Sequence, residues 1–169
     1  MKKIMFFVVS INFLYLQPSN NFINKNEQLT NNSINKNNQL INAIIDNDTF
    51  AVIDLLRDPK VQRNINYQDD GGSTALHYAS ILNRSGIIEE LLYLGADPNI
   101  QDNSGATPLY VAVDNNATNA IRKLLFNKRC DIDIPNNYDQ TPYQLAKINH
   151  NQTIINMFID IQPDSEDEN

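Results

Sequence analysis

The chain has 169 residues, a single cysteine and a formal net charge of −7, enough for one domain with extensions. So acidic a chain argues against nucleic acid as a partner, since such binders carry a basic face to neutralise phosphates, and disfavours an anionic membrane surface. Cys130 stands alone, so no intramolecular disulfide forms, and no Cys, His and acidic residues fall at metal-ligand spacing.

Residues 1–19 have the form of an export leader. "MKK" is a positively charged start, and Ile4 to Leu16 is an apolar run of 13 residues interrupted by Ser10 and Asn12. A bilayer needs about 20 such residues, so the expectation is a secretory signal peptide ending near Ser19. No A-x-A-like cleavage site follows, which keeps an uncleaved N-terminal anchor as the alternative and a buried apolar segment as a third reading. Residues 20–37 are dominated by Asn and poor in large apolar side chains. Such a composition cannot offset the entropy of ordering, and a disordered linker is expected.

From residue 38 helical patterns come in pairs. Leu40 and Ala43 precede Val52, Leu55 and Leu56 with the spacing that Leu76 and Ala79 keep to Ile88, Leu91 and Leu92. "STALHYASILN" at 73–83 is echoed by "ATPLYVAVDNN" at 106–116 and "QTPYQLAKINH" at 140–150, with Thr74, Thr107 and Thr141 standing 33 and 34 residues apart. A fixed period of this length marks a stacked-repeat architecture, in which each unit buries too little to stand alone. Thr followed by Pro108 or Pro142 is a hydroxyl cap with Pro at the first helical position; Ala75 takes that place in the second unit. Between the two helices of each unit stand Asn47, Asn83, Asn116 and His150, residue types enriched in the left-handed conformation.

The first unit carries a loop three residues longer, "RDPKVQRN". The third reads "FNKRCDIDIPN", one residue longer and without a Gly, so its second helix is expected to end differently. Asp139 stands where a turn Gly would. "TIINMFIDI" forms the last helix, and residues 161–169 read as an acidic, disordered tail.

The stretch "DGGSTALHYASILNRSGIIEELLYLGADPNIQD", residues 70–102, resembles an ankyrin repeat, with T-A-L-H for the family's T-P-L-H and "LGADPN" for its G-A-D-V-N. The resemblance implies an all-α solenoid of helix-turn-helix units joined by hairpin-like loops. It would span 38–160, with repeats at about 38–69, 70–102, 103–136 and 137–160 and the first as an N-terminal cap. The leader and the Asn- and Ile-rich composition are similar to those of ankyrin proteins of intracellular bacteria.

No catalytic residue, cofactor or metal is expected, since no G-x-S-x-G, P-loop, H-E-x-x-H or G-x-G-x-x-G occurs. Glu89 with Glu90 and Asp131 with Asp133 read as solvated acids. The resemblance gives His77 the hydrogen-bonding role of the T-x-L-H histidine. Cys130 reads as a small buried residue, with a reactive thiol as the competing reading.

Similarity to ankyrin proteins also implies a protein-binding module whose contacts lie on the loop tips and inner helices. The tip positions are Asp70 and Ser73, Asn103 and Ser104, and Asn137 and Tyr138. The helix positions are Ile81 and Leu82, Asp114 and Asn115, and Ile148 and Asn149. Ile81, Leu82 and Ile148 are apolar where scaffolding does not demand it. Tyr138 is the expected aromatic anchor beside Ile148, unless it folds back over Pro135. The expected protein is an exported monomer binding an unidentified protein, a host protein among the candidates. Neither nucleic acid nor a small-molecule substrate is expected, and membrane contact only through an uncleaved leader, which would make it a tethered structural adaptor.

Overall fold

A computed structural model of the chain describes residues 36–161. The leader at 1–19, the linker up to residue 35 and the acidic tail from 162 onward lie outside the described residues.

Those residues form helices joined by turns and loops, with no strand among them. Helix α1 covers 36–45. It is followed by α2 (Thr49–Leu56), α3 (Pro59–Arg63), α4 (Ala75–Ile81), α5 (Ser85–Tyr93), α6 (Pro108–Asp114), α7 (Thr118–Leu125), α8 (Pro142–Ile148) and α9 (Gln152–Ile159). The inner helices α4, α6 and α8 pack side by side, as do the outer helices α5, α7 and α9, and each outer helix packs on its own inner partner.

Local chemistry places the inner helices α4, α6 and α8. The Thr107 and Thr141 hydroxyls each accept the backbone N–H three residues on, both at 3.2 Å. Thr74 is capped reciprocally, its own N–H reaching His77 Nδ1 at 3.1 Å. Asn47, Asn83, Asn116 and His150 all sit at positive φ, between 52° and 59°, which reverses the chain after each inner helix. The residue after each turn closes on the repeat's alanine. Arg84 N–H donates to the Ala79 carbonyl and Ala117 N–H to that of Ala112, both at 2.8 Å. A larger side chain would hold the helices apart there: Ala79, Ala112 and Ala146 are fully buried.

One continuous core runs through the stack, with Leu40, Leu76 and Leu109 from the inner row and Val52, Ile88, Leu91, Ile121, Leu124 and Ile154 from the outer. Full burial of each such side chain stabilises by roughly 1.5–3 kcal/mol.

Three features differ from the sequence reading. The linker boundary at 37 moves upstream: Lys36 and Asn37 are already helical, Asn37 is buried, and Lys36 pairs with Asp58. The long first loop folds as α3, because Asp58 caps it by accepting the Lys60 N–H at 2.8 Å and Pro59 supplies the first helical residue, burying Val61 and Ile65. Leu55 is only half-buried against the core. The third unit's outer helix does end differently, as expected. Gly95 at φ 96° closes α5, whereas α7 ends through Phe126 in right-handed geometry without a left-handed residue.

Candidate functional site

Three loop tips share one construction. Asp69 accepts the N–H groups of Gly71 and Ser73 through Oδ1, both at 2.9 Å. Asp102 accepts those of Ser104 and Ala106 at 2.8 and 2.9 Å, and Asn136 those of Tyr138 and Gln140 at 2.9 and 3.0 Å. A backbone pair closes each tip, from Asp69 N–H to the Ser73 carbonyl in the first.

Neighbouring tips are then laced together. Asn103 donates its backbone N–H to the Gly71 carbonyl at 3.0 Å and its side-chain amide to that of Asp70 at 2.9 Å. Asn137 repeats this one loop later, to Ser104 and Asn103, both at 3.0 Å. Gln68 and Gln101 each bridge their own tip and the next. So close an approach needs glycine: Gly72 and Gly105 have φ of 75° and 78°, and a Cβ on either would lie 2.7 or 2.6 Å from the next loop's backbone nitrogen. Asp139 keeps the same backbone, φ 58°, and no described loop follows to meet its side chain.

Inner-helix residues tie each repeat to the next. His77 Nε2 reaches the Ala106 carbonyl at 3.0 Å. At the same register position Tyr110 hydrogen-bonds to Gln140 Oε1 at 3.2 Å and accepts from Asn136 Nδ2 at 2.9 Å. Both tyrosine hydroxyls near the tips are harder to ionise. The hydrogen bond to Asp69, 2.6 Å away, pushes Tyr78 up to about 12, and burial raises Tyr110.

Most of the expected contact residues reach solvent. Asp70, Asn103, Ser104, Asn137 and Tyr138 are exposed at the tips, and Asp114, Asn115, Ile148 and Asn149 are exposed at the far ends of α6 and α8. Ser73, Ile81 and Leu82 are half-buried. Leu82 packs against the core, so scaffolding does use it, contrary to expectation. Tyr138 is 78% exposed and does not fold over Pro135. Nor does it stand beside Ile148: the seven residues of α8 separate the two by about 10 Å of helix.

Several exposed polar side chains are already committed. The Asn103 and Asn137 amides hold neighbouring loops, Ser104 donates to Asp102 at 2.6 Å, and Asn115 donates to the Val111 carbonyl at 2.9 Å. Among the described residues the side chains of Asp70, Asp114, Tyr138 and Asn149 make no hydrogen bond. The bracketing of the last tip by Asn136 and the inter-repeat role of Tyr110 escaped the sequence reading, although Tyr110 stands one period after His77 and carried the signal.

Cys130 is half-buried and free. Burial, helped by the charges of Asp131 and Asp97, pushes its thiol up to about 12, the opposite of what a nucleophile needs. Among the described residues no group of His, Cys, Asp and Glu is arranged to hold a metal ion, and no helix is long and apolar enough to cross a membrane.

The sequence model of a family described as ankyrin repeats (many copies) matches residues 56–109 and again 91–146. No curated protein matches the chain. The matched segments take in the tips at Asp69 and Asp102, both lacing asparagines and most of the helix pairs, and the period, the capped inner helices and the interlocked tips are all present: the chain belongs to the ankyrin repeat family, whose repeats generally serve as protein-interaction modules.

Proposed function

We propose that this chain is an exported, monomeric module that binds one partner protein along its loop tips and inner helices, with Tyr138 as the aromatic anchor. One observation carries the reading. The tip backbones are fixed by Asp69, Asp102 and Asn136 and by their own stacking, while Asp70 and Tyr138 project with no hydrogen bond of their own. A surface ordered before its partner arrives loses less entropy on binding, and Tyr offers a large contact area with few rotatable bonds.

Affinity capture with the full chain supplies the partner, and Tyr138→Ala then tests the reading. The expected outcome is binding weakened by about 2 kcal/mol or more at an unchanged melting temperature. Unchanged binding with a lowered melt would sink the anchor. Export rests on the leader at 1–19. N-terminal sequencing of the mature protein tests it separately: Met1 or Lys2 retained in the membrane fraction would replace secretion by the tethered-adaptor reading.

A further inference from the structure

The outer side of the second and third repeats carries a feature that the tip face does not use. Tyr93, the last residue of α5, is 84% exposed, and Phe126, just after α7, is 73% exposed. They occupy the same register position in adjacent repeats and line one open cleft between the two helix ends. Gly95 also lines it, with open space where a Cβ would stand.

The charge around this cleft is opposite to that of the chain. Arg122 and Arg129 line it and Lys128 lies beside Arg129 in sequence. Arg129 is held across the cleft by donating from Nη2 to the Leu92 carbonyl at 2.7 Å. Glu89 is the one acidic residue in the lining, and Lys123 pairs with it. Arg122 and Lys128 have no ion-pair partner among the described residues. A molecule of net charge −7 thus gathers unneutralised cations around two solvent-facing rings.

We infer that this outer face is a second docking surface, and that its occupant is an acidic segment of a partner protein carrying apolar side chains. Complementary charge selects the carboxylate side chains of such a segment, and the rings of Tyr93 and Phe126 remove its apolar side chains from water. The surface lies on the outer helices, so it neither needs the tip face nor competes with it.

The test titrates the full-length chain into two fluorescein-labelled peptides, one alternating Glu and Leu, the other Lys and Leu, and follows anisotropy. The Glu-Leu peptide is expected to bind, more weakly as salt rises, and the Lys-Leu peptide not to bind. The double variants Tyr93→Ser with Phe126→Ser and Arg122→Glu with Lys128→Glu should each weaken binding by about tenfold or more. These side chains are solvent-facing or unpaired, so melting temperatures should hold. Tyr138→Ala should leave the peptide affinity unchanged, which separates this surface from the tip face. The inference is overturned if the parent chain does not bind the Glu-Leu peptide, if binding survives charge reversal, or if Tyr138→Ala abolishes it. It is also overturned if the aromatic variant abolishes self-association without any peptide binding, since a second copy would then be the occupant.

Discussion

At His77 the two ring nitrogens serve different repeats. Nδ1 accepts the Thr74 N–H at 3.1 Å, so the proton sits on Nε2 and points at the Ala106 carbonyl, 3.0 Å away. A second proton on Nδ1 would face a donor in a buried site. Burial lowers the histidine's pKa, and the Ala106 carbonyl and the charges of Asp102 and Asp69 offset it only in part. The folded state therefore binds fewer protons here than the unfolded chain. The stabilisation is fully present above the ordinary histidine value of about 6.5 and is lost as pH falls below it. The parent's melting temperature should fall between about pH 7.5 and about pH 5.5. His77→Gln should melt lower at the upper end and show a flatter profile across the window. Parallel profiles would remove His77 as the cause. Asp58, held below the usual carboxylate value by its hydrogen bond to Lys36, loses its contribution only in a more acidic range. Cys130 gives a second residue-scale outcome: with its thiol pushed up to about 12, iodoacetamide should alkylate it much more slowly in the folded chain than in denaturant. Equal rates would restore the reactive-thiol reading.

The helix pairs were legible because their signals are local. Thr-Pro at a helix start, alanine at the close approach and asparagine at a reversal each state a backbone requirement within a few residues, and Asn83 and Asn116 met theirs at φ 55° and 54°. What remained hidden depends on neighbours. Nothing near Leu82 in sequence says that it reaches the core, and α3 becomes worth forming only because Val61 finds a buried place. The candidate site was legible to the same extent: its positions follow from register, but not the fact that Asn103 and Asn137 spend their amides on the adjoining loop. Gly105 and Asp139 separate the two kinds of information. Both hold positive φ, 78° and 58°, yet only Gly105 has another loop's backbone against it. Gly105→Asp should therefore lose about 2 kcal/mol or more in chemical denaturation, although the same residue is tolerated at 139. A loss below about 1 kcal/mol, the size of backbone strain alone, would mean that the tips do not interlock.

Across the whole molecule, a solenoid's stability is a sum of repeat terms and interfaces between neighbours, and here the interfaces are unequal. The outer row is continuous from α5 through α7 to α9, but α2 makes little contact with α5. An opening of about 600 Å³ separates them, with Val52, Ile53, Leu56 and Ile87 in its walls. The first repeat meets the second elsewhere: Asn66, beyond α3, accepts the Asp97 N–H at 2.8 Å, and Leu40, Ile41 and Ile65 line one small gap with Ala75. A weaker interface lets a terminal repeat open without dragging the others along. Native-state hydrogen exchange should show this directly. Amides of Val52 and Leu56 in α2 are expected to exchange through an opening at least about 1 kcal/mol easier than the one that exposes Ile121 and Leu124 in α7. Both sets are buried, so differing side-chain exposure cannot produce the gap. Equal protection would mean that the stacked repeats open as a single unit despite the sparse contact between α2 and α5.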